Sequence, residues 1–179
     1  ARILNNQSIT KIAGADIHQY LLQQANLKNE KVFYLGASQS TLKLIESKIK
    51  KQYPNITVSS FSPPYKAQFS ENDTRLMIQK VNEFNPDILF VGMTAPKQEK
   101  WVFANKNNID ANTIVSIGAV FDFYAGNIQR SSSFWINLGL EWLPRLLKEP
   151  KRLFYRNFVS TPKFILEVLS FKLLKKGFL

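Results

Sequence analysis

Three apolar runs, each ending on a glycine and each handing over to a new segment, constrain this chain more than any other feature. They are KVFYLG at 31–36, DILFVG at 87–92 and TIVSIG at 113–118. Continuous apolar character, rather than alternation, suits strands that are covered on both faces, as parallel sheets require. The stretches between them carry helical spacing. Gly14 to Asn26 offers Ile17, Tyr20, Leu21 and Leu22 to one side, and the helix through TLKLIESKIKKQY spaces Leu42, Ile45 and Ile49, with Ser38 or Ser40 as its cap. A third helix from about Glu71 to Phe84 carries Leu76, Ile78 and Val81 until Asn85-Pro86 stops it. PNITVSS supplies a further strand, SPPYKAQFSEND reads as a loop, and the helix opened by PKQE takes up Trp101, Val102 and Phe103. Strand and helix alternate throughout, which predicts an α/β fold with a mostly parallel sheet and helices on both sides.

The chain's 179 residues fit one domain with a real core. Zero cysteines exclude disulfides and thiolate chemistry, and the single histidine, His18, rules out a multi-histidine metal site within this chain. His18 has no cysteine or histidine partner and reads as a surface or packing residue. The net charge of +11 predicts affinity for phosphate, whether on nucleotides, nucleic acid or lipid headgroups. That charge is concentrated: from Arg145 onward nine basic residues face two acidic ones. This C-terminal stretch lacks a strand candidate and reads as short helices punctuated by Pro144, Pro150 and Pro162. In the last of them Phe164, Ile165, Val168 and Leu169 alternate with lysines, predicting an amphipathic helix for core packing or a membrane interface.

Ligands of an open parallel sheet bind beyond the carboxyl ends of its strands. Three strand ends are therefore candidate sites: LGAS at Gly36, VGMTAPKQE at Gly92, and IGAVFDFYAG with Gly118, Asp122 and Gly126. Neither GxGxxG nor GxxxxGK[ST] occurs, so no dinucleotide fingerprint or P-loop is indicated, and turn geometry alone can account for each glycine. Pro96 suits the first turn of a helix, with Glu99 complementing its dipole. Lys97 is a cation at the unfavourable end of that helix, and an anion sharing its pocket would account for it. Asp16 in AGADI reads as an N-cap or, if it lines a pocket, a base; Asp122 reads as a hydrogen-bonded buried carboxylate or a catalytic one. No DxD pair is present, so a bound diphosphate would be neutralised by arginine, lysine and helix ends.

Taken together, ITKIAGADI, PDILFVGMTAPKQEKW, IGAVFDFYAGNIQRSS and LGLEWLPRLLKEPKR closely resemble the WecG/TagA/CpsF glycosyltransferase family, in order and from the first residue to at least Arg156. The resemblance implies a Rossmann-like α/β core over 1–140 and a basic helical appendage over 141–179 that meets the membrane. It implies an inverting transfer of an N-acetylhexosamine-type sugar, ManNAc or its uronic acid, from a UDP-sugar donor to a polyprenyl-diphosphate-linked saccharide in cell-surface polysaccharide synthesis. Carried over by position, Asp16 is the catalytic base. Gly36, Gly92, Pro96, Lys97, Gln98, Glu99, Gly118, Asp122 and Gly126 bind the nucleotide-sugar, and Arg130, Arg145, Arg152 and Arg156 grip the lipid diphosphate. No cofactor or metal is implied. The expected location is cytoplasmic, at the inner face of the cell membrane, and a homo-oligomer is compatible with the resemblance.

Two departures qualify that expectation. Relatives carry some tens of residues before the point matching Ala1, including part of the site, so the chain reads as a fragment with an incomplete pocket. FSPPYKAQFSEND stands where many relatives have a GYF-type segment, which bears on sugar choice. The competing readings are a nucleic-acid-binding protein and a non-enzymatic adaptor on anionic membrane. The first lacks an RRM, KH or helix-turn-helix signature, and the second leaves PKQE and Asp16 without a purpose.

Overall fold

The computed structural model describes residues 12–127 and, beyond them, 143, 146–147 and 154–176. Four strands, β1 (Lys31–Gly36), β2 (Thr57–Phe61), β3 (Ile88–Gly92) and β4 (Thr113–Ser116), form a parallel sheet in the order β2-β1-β3-β4. The α/β expectation is met. The central pair runs in register from Val32 opposite Ile88 to Gly36 opposite Gly92, and β1 and β3 are buried from end to end apart from Lys31.

Strand alternation divides the core into two layers. Val32, Tyr34, Ile88 and Phe90 face α1 (Gly14–Lys28), α2 (Gln39–Gln52) and α5 (Val120–Ala125), where Leu22, Leu42, Ile45, Ile49 and Phe121 complete the packing. Phe33, Leu35, Leu89 and Val91 face α3 (Glu71–Phe84) and α4 (Lys97–Asn105), where Met77, Val81 and Trp101 fill the layer. Local signals set the helix ends. Ser38 caps α2 by accepting the Thr41 amide at 3.2 Å, and Ser70 and Asp73 form a reciprocal capping box at the start of α3. Asn85, in the left-handed conformation, closes α3 ahead of Pro86.

Several faces differ from the expected ones. In α1 the buried residues are His18, Leu22 and Ala25, whereas Ile17 and Tyr20 are exposed. The buried stripe keeps the i, i+4, i+7 spacing of a helix but recruits a histidine and an alanine, so ranking by side-chain identity selects the wrong phase. In α3, Met77 is buried and Leu76 exposed; in α4, Trp101 is buried and Phe103 is exposed. Pro96 occupies the N-cap of α4 rather than its first turn.

The sheet and these five helices lie within one compact unit, Lys11–Gln129, and the C-terminal helices belong to a second. There a π-helical turn, Arg156–Ser160, leads into α6 (Thr161–Lys176), and the Phe154 and Phe158 rings stack with centroids 4.9 Å apart. The expected division of α6 into apolar and basic sides is not what forms. Phe164, Ile165 and Leu166 are consecutive, so they point about 100° apart and take more than half of the circumference, and all three are exposed. The remaining side holds Lys163 and Glu167, of opposite charge. Among the described residues no helix is long and apolar enough to cross a membrane.

Candidate functional site at the carboxyl edge of the sheet

The strand order fixes where a ligand can enter. The chain leaves β1 for β2 on one side, then crosses back past β1 to β3 and β4 on the other, so the crossovers diverge at the carboxyl ends of β1 and β3. Gly36 and Gly92 lie directly opposite one another at that point. Gly36 has φ +123°, and a Cβ there would fall 2.2 Å from the Gly92 carbonyl oxygen, so no other residue fits without moving the backbone. A Cβ on Gly92 would fall 2.5 Å from the Phe121 ring. The Ala37 amide donates to the Gly92 carbonyl at 3.0 Å, and the floor of the crevice is thus main chain pressed against main chain.

Loops and helix starts surround this floor. Gly14 packs against Val120 and Ile117, which sets the first turn of α1 beside the end of β4. Asp16 is the third residue of α1, exposed, and its carboxylate accepts the Ala13 amide at 2.9 Å. It caps from within the helix rather than from the N-cap position, and complements the dipole there. In the segment after β3, Gln98 is buried: its Oε1 accepts the Met93 amide at 3.1 Å, and its Nε2 donates to Glu99 Oε1 at 2.8 Å. The same carboxamide abuts Gly118, whose φ of +45° and missing Cβ leave it room. Gln98 therefore fastens the loop after β3 to α4 and packs against the turn after β4, and Glu99 stands exposed in the first turn of α4.

Lys97 has partners inside the protein. Its ammonium donates to the Lys66 carbonyl and lies 3.5 Å from the centroid of the Phe69 ring. Burial lowers its pKa, and nearby Asp73 opposes that shift. The cation at the helix start thus clasps down the 62–70 loop. Ser62 Oγ donates to the Ala37 carbonyl at 2.7 Å, and Lys66 pairs with Asp73 at 2.9 Å, so the loop is fastened along its length.

Asp122 in α5 is half-buried, and the Asn127 side chain bridges it at 3.4 Å to Thr41 of α2 at 2.9 Å. Gly126 closes α5 in the left-handed conformation at φ +94°, and Lys48 donates to the Tyr124 carbonyl at that end, 2.8 Å away. Thr41, Asn127 and Lys48 were not expected from sequence, because their spacing from Asp122 and Tyr124 carries no local signal. The structure thus brings the segments bearing Asp16, Gly36, Gly92, Lys97, Gln98, Gly118 and Asp122 to one edge of the sheet, with Pro96 and Glu99 at the start of α4. Arg130, Arg145 and Arg152 lie outside the described residues, and Arg156 opens the π-helical turn of the second unit.

His18 is a packing residue, not a surface one. It is 2% exposed, its Nε2 shares a hydrogen bond of 2.6 Å with the Tyr34 hydroxyl, and its ring meets Phe90 and Tyr124 edge-on. Burial lowers its pKa to about 4. At the opposite, amino edge of the sheet a cleft of 210 Å³ lies between Tyr20, Lys28, Asp87 and Asn112. Asp87 there is already engaged by the Lys31 amide at 2.8 Å and by Asn112 Nδ2 at 3.1 Å. Among the described residues no group of three histidine, aspartate or glutamate side chains could hold a metal ion.

The chain matches the model of the glycosyl transferase WecG/TagA/CpsF family over residues 1–177. It is 34% identical over 178 residues to the N-acetylglucosaminyldiphosphoundecaprenol N-acetyl-beta-D-mannosaminyltransferase of Bacillus subtilis (strain 168), which covers 99% of this chain and 67% of the relative. The enzymes of the same name from Bacillus spizizenii and Staphylococcus aureus (strain MW2) are 30% and 28% identical over 95% and 90% of this chain, and 63% and 61% of the relatives. The chain thus spans roughly two thirds of the length of these relatives. A match along nearly the whole sequence, on a parallel sheet whose carboxyl edge gathers the motifs, settles the family: the chain belongs to the WecG/TagA/CpsF glycosyl transferases.

Proposed function

We propose that the protein transfers an N-acetylhexosamine-type sugar, of the N-acetylmannosamine kind, from a UDP-sugar to a polyprenyl-diphosphate-linked saccharide, with inversion at the anomeric carbon. The observation that carries this reading is the placement of Asp16. The first turn of α1 holds its carboxylate at the carboxyl edge, beside the turn after β4 and on the side of the sheet where ligands enter. The name of the relatives, an N-acetyl-beta-D-mannosaminyltransferase acting on N-acetylglucosaminyldiphosphoundecaprenol, supports the choice of sugar and lipid.

In this mechanism the acceptor hydroxyl oxygen attacks the anomeric carbon from the face opposite the leaving group. Its proton passes to the Asp16 carboxylate, and the bond to the UDP oxygen breaks with its electron pair, releasing UDP. The closely apposed glycines 36 and 92 form the base beneath a diphosphate, and helix starts aimed at the same edge offset its charge. The 62–70 loop, clasped by Lys97, walls the crevice beyond β1 and β2. The C-terminal helices, with Arg130, Arg145, Arg152 and Arg156, are the proposed grip on the lipid diphosphate at the inner membrane surface, and the reaction proceeds without a metal.

The test is UDP release in EDTA, with a panel of UDP-N-acetylhexosamines and their uronic acids, plus a polyprenyl-diphosphate-GlcNAc analogue. Acceptor-dependent release is expected, reduced about 10²- to 10⁴-fold in Asp16→Asn, the usual worth of a general base. Full activity in the variant would remove Asp16 from this role, and a rate that requires added divalent metal would overturn the metal-free mechanism.

A further inference from the structure

Two residues beyond Asp16, the chain buries its one histidine, and the proposed mechanism makes no use of it. His18 is the single polar member of the α1 stripe that meets the sheet; the other buried members are Leu22 and Ala25. Apolar contacts of that kind resist separation but only weakly resist rotation of a helix about its own axis. A hydrogen bond is directional. The 2.6 Å bond from His18 Nε2 to the hydroxyl of Tyr34, itself fully buried on β1, fixes the azimuth of the first turn of α1. Phe90 of β3 and Tyr124 of α5 enclose the imidazole with centroid separations of 4.8 Å each, so the ring cannot swing to another partner.

We propose that the His18–Tyr34 bond is a positioning device for the reaction, holding the turn that carries Asp16 at the angle the proton transfer needs. The inference rests on the proposed role of Asp16. Neither residue touches the reacting atoms; both act through the helix. The neutral imidazole that burial favours leaves one ring nitrogen to accept and one to donate, which suits a tyrosine hydroxyl as partner.

The experiment compares His18→Phe, Tyr34→Phe, the double variant and His18→Gln in the full chain. Each single phenylalanine variant is expected to lower kcat about 10- to 100-fold, as a small misplacement of a catalytic group does, with KM for the donor unchanged. The double variant should lose no more than either single one, because both remove the same bond. His18→Gln, which restores a hydrogen-bonding group of similar reach, should recover most of the rate. The deciding arm is the Asp16→Asn background, where adding His18→Phe should leave the residual rate unchanged. An equal further loss there, or a folded His18→Phe enzyme at full rate, would overturn the proposal. Amide hydrogen exchange of residues 13–18 gives a readout independent of turnover: it should quicken in His18→Phe while Leu22 and Ala25 stay protected. If the unaltered protein transfers no sugar, the proposed function falls. In that case faster exchange would uphold the anchor and unchanged exchange would dismiss it as well.

Discussion

A buried neutral histidine makes the fold sensitive to mild acid, and the direction follows from proton uptake. Burial depresses the pKa of folded His18 from 6.5 to about 4. Between those values the unfolded chain binds the proton first, so this contribution is complete above pH 6.5 and is lost as the pH falls toward 4. The two and a half units correspond to about 3 kcal/mol. The groups around the ring, Tyr34, Phe90 and Tyr124, include no carboxylate to stabilise an imidazolium. Urea denaturation at pH 7 and pH 4.5 should therefore show a fall that is much smaller in His18→Gln. Equal slopes for the two proteins would refute it. The sequence could not reveal this role, since the partner lies 16 residues away on a strand and the histidine itself sits in a helix where Ile17 and Tyr20, both read as inward-facing, point outward.

At the scale of elements, the pinch between β1 and β3 and the end of α5 make opposite demands on their glycines. Gly36→Ala would drive a Cβ into the Gly92 carbonyl, a backbone atom that cannot step aside, and is expected to cost about 3 kcal/mol or more. Gly126→Ala meets only the tip of the Lys48 side chain, so the strain of its left-handed φ dominates, about 1–2 kcal/mol. Chemical denaturation of both variants checks the ranking, and a milder Gly36→Ala would contradict the geometry. These elements were the most legible part of the chain. Continuous apolar runs located β1 and β3 to within a residue, and Ser38 and Asn85 marked helix ends, because each signal is local. The contacts that shape the site are not local. Lys97 finds its carbonyl 31 residues back and Asn127 finds Thr41 86 residues back, so the clasp that Lys97 makes on the 62–70 loop had no sequence signal.

For the molecule as a whole, the proposed membrane contact can be tested directly, since the chain carries an excess of eleven positive charges and exposes aromatic and aliphatic side chains on its C-terminal helices. Because Phe164, Ile165 and Leu166 spread around α6, such contact would embed the helix more deeply than a flat amphipathic one lying in the interface. Co-sedimentation with vesicles containing anionic lipid should weaken with salt yet persist in part, and should be lost in a Phe164→Ser, Ile165→Ser, Leu166→Ser variant. Binding unaltered by those changes would exclude α6 as the contact. The pinched glycines carry one more consequence, for how such a protein can diversify. A floor built of backbone offers mutation almost nothing to vary, since nearly every substitution at Gly36 or Gly92 damages the fold before it alters recognition. The 62–70 loop, surface-borne and fastened by a few side chains, is free to drift. Under the proposed function, changes of sugar preference would be expected in that loop, over an unchanging base.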